Sequence, residues 1–525
     1  CPAWCRCWCG CLPAAGRTDS AALDSRLAAN LSRIKERFHG SVDVVYREFS
    51  IGFDQNNKAV LIYIDGLVNP EISNTTILKP LMLDLVQNER FTTLQKRNLL
   101  DFIKNCALPN SRIQEAAVLQ EVINGVLSGE TALLLDGFSR ALLIETKGWE
   151  GRGVEEPDTE AVVRGSREGF TENIGVNITL LRRRIKNENL RFESLELGRQ
   201  TNTSVYIAYV QGIVNEKIVT EVKNRLQRID IDAILESGYI EQLIEDAPVS
   251  IFPTIGNTEK PDLLAAKLLE GRVGILVDGT PFALTVPYLL VEAFQNAEDY
   301  YSRPYYATVV RGVRFAALFI TVLFPAAYVA LQSFHPEMIP TALLISMAGA
   351  REGVPFPAYI EVILMGMVFE IMREAGVRMP RPIGQAVSIV GALVLGEAAV
   401  RAGFISNPMV IVVSLTGIAG FVISPLADVI AILRISFVFL AASLGFFGLL
   451  MGILVLYIHL VKLRSFGIPY LSPLAPGNLE ALKDVLIRAP FWLQANRPSL
   501  PGFKTSTRLD SGKPSPEKSQ RNEET

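Results

Sequence analysis

Between Pro357 and Gly384 the sequence PAYIEVILMGMVFEIMREAGVRMPRPIG sets Glu361, Glu370, Arg373 and Glu374 inside an apolar run of membrane grade. An ionisable side chain at the centre of a bilayer costs about 2.5–3.5 kcal/mol on insertion scales, so such groups are paired, line an aqueous path, or both. At about 100° per residue Glu370, Arg373 and Glu374 fall on one arc of a helix, with Glu361 opposite Glu370. One helix therefore does not point all four into one cavity. The spacing predicts an interfacial cluster of three and a separate, deep Glu361 that needs its own partner. Arg351 and Arg434 are the cations available to it. Two readings stand side by side: a structural Glu–Arg pair between packed helices, and a pore or gating role for Glu361, Glu370, Arg373, Glu374 and Arg434.

The elements that must hold these charges are membrane segments. From Phe315 to Val461 there are 13 Asp, Glu, Lys and Arg in 147 residues, and no Lys. Phe315 to Phe334 is uncharged and long enough to cross about 30 Å of hydrocarbon. It follows Arg303, Arg311 and Arg314, which the positive-inside tendency places in the cytoplasm together with everything before them. Further apolar stretches run from Ile383 to Gly396, from Ala402 to Ala427 (bounded by Pro408 and Pro425) and from Ile435 to Val461. The last is expected in one long helix from Ser424 and Pro425 to Lys462 and Arg464. Five crossings would leave Lys462 and Arg464 outside. The region from Met338 to Gly376 is therefore expected to bend or to fall short of a full crossing, since MIPTALLISMAGA before Arg351 is too short to span. Glu397 and Arg401, four apart, read as a helix-surface pair. Gly445, Gly448 and Gly452 permit close helix contact and fit an oligomer.

The preceding half is an ordinary charged sequence built on a duplication. EFSIGFDQNNKAVLIYIDGLVN (Glu48 to Asn69) aligns without a gap on SLELGRQTNTSVYIAYVQGIVN (Ser194 to Asn215), and GETALLLDG (Gly129 to Gly137) on GRVGILVDG (Gly271 to Gly279). The apolar runs predict strands, Ser73 to Val86 and Lys217 to Leu226 predict helices, and Asp136-Gly137 and Asp278-Gly279 predict hairpin turns. A ligand loop at the repeated Asp-Gly is the alternative. The fold class expected is an α/β soluble domain of two tandem related subdomains, followed by an all-α multi-pass transmembrane domain. Its parts are a Cys-rich, disordered leader (1–30), a first subdomain (31–150), a charged linker (151–191), a second subdomain (192–304), the membrane domain (305–465) and a cytoplasmic C-terminal segment with a disordered tail (466–525). The linker carries Arg164, Arg167, Arg182, Arg183 and Arg184. They read either as a grip for an anionic partner or as a solvated helix against anionic membrane lipid.

Other functions find no support. The net charge of −3 argues against nucleic acid, which needs a large basic field. Five of the six cysteines lie between Cys1 and Cys11 without the two separated pairs of a structural zinc site. There is no Walker loop, HExxH or GxSxG, and His39, His335 and His459 are far apart, so no metal, cofactor or enzyme activity is expected.

Three motifs in order carry a resemblance: EEPDTEAVVRGSREGFTENIGVNITLLRRRIKN, then REGVPFPAYIEVILMGMVFEIMREAGVRMPRPIGQAVSIVGALVLGEAAVRAG, then SFGIPYLSPLAP. They resemble the A subunits of spore germinant receptors, the GerA family of endospore-forming bacteria, over roughly Leu31 to Pro498. The resemblance implies an integral protein of the spore inner membrane with a cytoplasmic N-terminal domain. It also implies a permease-like B subunit and a lipoprotein C subunit as partners, and assembly into a homo-oligomeric, nutrient-gated ion channel. A secondary transporter of a small nutrient or ion is the alternative, and it would call for inverted repeats in the membrane half, where none is visible.

Overall fold

The computed structural model describes residues 22–51, 57–84, 99–109, 112–148, 160, 162, 164–378, 396–475, 477 and 481–494. The Cys-rich start, Gly52, Arg381, the apolar stretch from Ile383 to Leu395 and the tail from Arg497 lie outside them.

The first unit comprises α1 (Leu27–Phe38), β1 (Val44–Ser50), β2 (Lys58–Ile64), β3 (Ile113–Ala116), α2 (Leu119–Leu127), β4 (Glu130–Leu135) and β5 (Ala141–Glu145). Its strands pair antiparallel in the order β1-β2-β4-β5-β3. Alternation along β2 serves both faces. Val60, Ile62 and Ile64 are buried with Ile34, Phe38, Val122 and Val126 of α1 and α2. Ala59 and Leu61 are buried on the other side with Ile77, Leu81 and Ile103. The helical stretch expected from Ser73 is present as turns at Pro70–Ile72, Ser73–Leu78 and Pro80–Asp84, the last two wound wider than an α-helix.

The second unit repeats this plan: α3 (Ile174–Arg184), β6 (Leu190–Leu197), β7 (Thr203–Val210), α4 (Glu216–Gln227), α5 (Ser237–Ile244), β8 (Gly256–Thr258), α6 (Pro261–Leu269), β9 (Val273–Val277) and β10 (Ala283–Val286). The order β6-β7-β9-β10-β8 is that of the first sheet, place for place. Ala208 and Val210 lie against Leu181 and Leu264 of α3 and α6, and Val205 and Ile207 against Val222 and Ile240 of α4 and α5. The Asp-Gly pairs do close β4–β5 and β9–β10, with φ of 91° at Gly137 and 88° at Gly279. Their aspartates also reach a helix start: Leu27 N–H donates to Asp136 at 3.1 Å, and Ile174 N–H to Asp278 at 3.2 Å. Helix-capping geometry, with no ligand, accounts for the repeated Asp-Gly. Asn30 and Asn177 fold back in the same way on the carbonyls of Asp24 and Thr171. The helix α3 is thus the counterpart of α1. The stretch expected to be a linker from 151 to 191 carries, in its second half, the opening helix of the second unit.

The bundle that follows contains α7 (Pro304–Phe334), α8 (Thr341–Arg351), α9 (Ala358–Arg378), α10 (Asn407–Phe421) and α11 (Ala427–Lys462), then the short hairpin β11 (Arg464–Ser465) and β12 (Ile468–Pro469). Among the described residues, two helical runs are long and apolar enough to cross a membrane, Pro304–Phe334 and Ser424–Lys462. The second is not the single long helix expected. At Gly445 the backbone takes φ 60° and ψ −139°, a conformation open to glycine, and the chain reverses. A Cβ on Gly448 would lie 2.2 Å from the Leu440 carbonyl oxygen, and one on Gly452 2.9 Å from Phe437 Cε1. A continuous helix would hold Leu440 and Gly452 about 18 Å apart. The three glycines therefore close a hairpin within the chain. The close helix contact expected at these glycines is made here within the chain. Phe334 and His335, at the end of α7, cover the apex at Gly445.

Candidate functional site

The helix α9 holds three of the paired carboxylates of this bundle, Glu361, Glu370 and Glu374, spread along its length. Glu361, in its first turn, is fully buried. One carboxylate oxygen accepts from the Ser406 N–H at 2.9 Å and from the Ser406 hydroxyl at 2.8 Å. The other lies 3.2 Å from Arg351 Nη2. Ser406 precedes α10, and its hydroxyl is turned to Glu361 instead of capping its own helix. Tyr328 and Gln332 of α7 complete the surroundings, so four helices converge on one carboxylate.

Nine residues on, Glu370 accepts from Arg434 Nη2 at 2.6 Å and pairs with Arg373 at 2.8 Å. Arg434 is buried on the outgoing arm of α11, so this pair ties α9 to the hairpin. Glu374 is exposed and pairs with Arg378 one turn on. The expected trio is accordingly divided: Glu370 and Arg373 meet Arg434, and Glu374 stands apart. Of the two cations available to Glu361, Arg351 takes that place and Arg434 does not. Ser406, Tyr328 and Gln332 were not visible from sequence, because nothing in an apolar run marks which hydroxyl will face a carboxylate.

At the end of the bundle nearest the α/β units, Arg311 is fully buried and donates to Asp299 at 2.9 Å and to the Asp484 side chain at 2.9 Å. Arg314 donates to both oxygens of Asp299, at 3.0 and 2.7 Å. Tyr300 donates to Asp484 at 2.7 Å, and burial beside that carboxylate pushes its phenol well above its ordinary value. The segment 481–494 thus clamps the first turns of α7 onto the one-turn helix Glu298–Tyr301. Two of the three arginines taken as topology signals are neutralised here. Beyond α11, Ser465 donates to the Thr254 carbonyl at 2.6 Å and accepts from Tyr288 N–H at 3.0 Å, joining the last arm to the second unit.

The expected basic cluster of the linker is dispersed. Arg182 is buried and bidentate on Asp43, at 2.6 and 3.0 Å, so it locks the two units together and is not exposed for an anionic partner. Arg183 and Arg184 pair with Glu168, while Arg164 and Arg167 are exposed.

Residues 32–500 match the family model described as Bacillus/Clostridium GerA spore germination protein. Spore germination protein KA of Bacillus subtilis (strain 168) is 47% identical over 90% of this chain and 86% of its own length. The membrane protein YfkQ of the same organism is 44% identical over 91% of each. A solved structure, the N-terminal domain of the A subunit of the Bacillus megaterium spore germinant receptor GerK3, is 39% identical, covering 52% of this chain and 98% of that chain with a TM-score of 0.42. With the family model matched over nearly the whole described length, the chain belongs to the GerA family of spore germination proteins.

Proposed function

We propose that this protein is the A subunit of a nutrient germinant receptor. In this reading it is a multi-pass protein of the spore inner membrane that works with a permease-like B subunit and a lipoprotein C subunit and assembles into a homo-oligomeric, nutrient-gated ion channel. The observation that carries the channel reading is the pair of ionic contacts on one helix, Glu361–Arg351 and Glu370–Arg434, each with one buried partner and each made to a different neighbouring helix. Separating such helices exposes carboxylates along a path, and re-forming the pairs closes it. Partner occupancy would bias the α/β units, and two connections carry that bias to the bundle: the Asp299–Arg311–Asp484 clamp on α7 and the Ser465 contacts beyond α11.

The helix directions support a chain that returns to its starting side. The helix α7 runs away from the α/β units, α9 and α10 run back towards them from the Glu361–Ser406 contact, and the two arms of α11 go out and return. The returning arm of α11 ends with Lys462 and Arg464 beside the α/β units, and exposed Arg303, Arg378, Lys462 and Arg464 at this end agree with a cytoplasmic side.

The test is ion flux through liposomes holding the purified chain, with Glu361→Gln and Glu370→Gln beside the parent. Altered conductance or selectivity in either variant is expected. Unchanged flux in both removes the channel role from this helix.

A further inference from the structure

The returning arm of α11 ends between two hollows of opposite character. One is an apolar cavity of about 130 Å³, lined by residues including Phe252, Leu318, Val429, Leu433, Leu456 and Leu460, with no polar surface. The other is an open groove of about 560 Å³ at the junction with the second unit, lined by residues including Glu221, Arg225, Asp246, Lys462, Arg464 and Phe466. Within the groove Arg225 is neutralised, donating to Glu221 at 2.8 Å and to Asp246 at 2.6 Å. Lys462 and Arg464 are exposed and form no ion pair among the described residues. Leu460, in the cavity, and Lys462, in the groove, are separated by about 3 Å of helix rise.

An oily slot and a pair of unneutralised cations one step apart fit a molecule that is itself half anionic and half hydrocarbon. We propose that this junction is a binding site for one anionic phospholipid, with its phosphate at Lys462 and Arg464 and a segment of one acyl chain in the cavity. Cations at the edge of a bilayer attract anionic headgroups. An apolar void of about 150 Å³ stays dry and accepts a six-carbon hydrocarbon, so this one takes a chain segment of about that size. The rest of the chain lies along exposed Phe319 and Ile453. The bound lipid would link the bilayer to Phe252, whose ring packs near His459 and Tyr470 where the last arm meets the second unit. The site rests on the membrane reading proposed above.

The experiment uses the full chain, extracted in detergent, washed free of loose lipid and offered phosphatidylglycerol or phosphatidylcholine, with retained lipid counted by native mass spectrometry. The parent is expected to retain one phosphatidylglycerol, with about tenfold preference over phosphatidylcholine. Lys462→Gln with Arg464→Gln is expected to abolish the preference, and Val429→Phe, which fills the cavity, to abolish retention of both lipids. Melting curves accompany each variant, and the charge variant, which touches no core residue, keeps the test decisive if the filled one unfolds. No retained lipid, equal retention of both lipids by the parent, or a charge variant that behaves as the parent overturns the site. Release of the parent from membranes by alkaline carbonate would instead defeat the membrane reading itself, and the lipid site with it.

Discussion

Arg182 and Asp43 illustrate how much a single residue's surroundings decide. An arginine in the run Arg182–Arg183–Arg184 looks in sequence like one more charge on a wet surface. Its partner is 139 positions away, and nothing local announces it. Removing one member of a buried pair strands the other, at a cost of about 3–5 kcal/mol, whereas replacing both by apolar groups is often nearly neutral. Arg182→Leu is therefore expected to lower the melting temperature sharply, and Arg182→Leu with Asp43→Leu to recover most of the loss. A second residue sets a pH dependence. Burial, with Glu245 and Glu236 nearby, pushes the Glu241 carboxyl up to about 7 from an ordinary 4.5. The folded chain then holds a proton through that window which the unfolded chain has released. Stability from this group is therefore full below the lower value and falls as pH rises towards the upper one. Glu241→Gln is expected to flatten that decline and, allowing for the part of the group that remains wet, to stabilise the chain by about 1 kcal/mol above pH 7. Melting temperatures of parent and variant across pH 4.5 to 8 check the sign.

Elements were unevenly legible. The duplicated strands and Asp-Gly turns could be read because alternation and positive-φ turn chemistry are local, and a repeated pattern doubles the signal. The start of the second unit was missed because α3 shares no long identical string with α1. Only the paired Asn30 and Asn177, and the aspartates that reach each helix start, mark the correspondence. The reversal at Gly445 was hidden for a different reason. In a run that is apolar at nearly every position, a straight helix and a folded one bury the same kinds of side chain, so composition does not separate them. Gly448 supplies the test. Leucine there would drive into the backbone of Leu440, and overpacking of this kind costs about 1–3 kcal/mol. Gly448→Leu is expected to lower the melting temperature of the membrane half, while Gly312→Leu, with nothing within 4 Å of the added carbon, leaves it unchanged.

For the whole molecule, the two ends of the bundle are chemically distinct. One end carries the clamp at Asp299, Arg311 and Asp484 and the contacts of Ser465. The other carries the apex at Gly445 beside His335. In sealed vesicles, single cysteines introduced at Arg464 and at Leu444 are expected to react with a membrane-impermeant thiol reagent from opposite sides. Labelling from the same side would defeat the out-and-back path. Sequence asked for Lys462 and Arg464 on the cytoplasmic side and looked for the needed bend between Met338 and Gly376; the reversal at Gly445 is a turn it did not show. The out-and-back path also bears on how the chain enters a bilayer during synthesis. Between Ala427 and Lys462 the only Asp, Glu, Lys or Arg ahead of the closing Lys462 are Asp428 and Arg434, both on the outgoing arm. On the membrane reading proposed above, a closed pair of arms would insert apex first, carrying only the apolar turn around Leu444, Gly445 and Phe446 to the far face. Lys462 and Arg464 would then stay on the near side of the hydrocarbon.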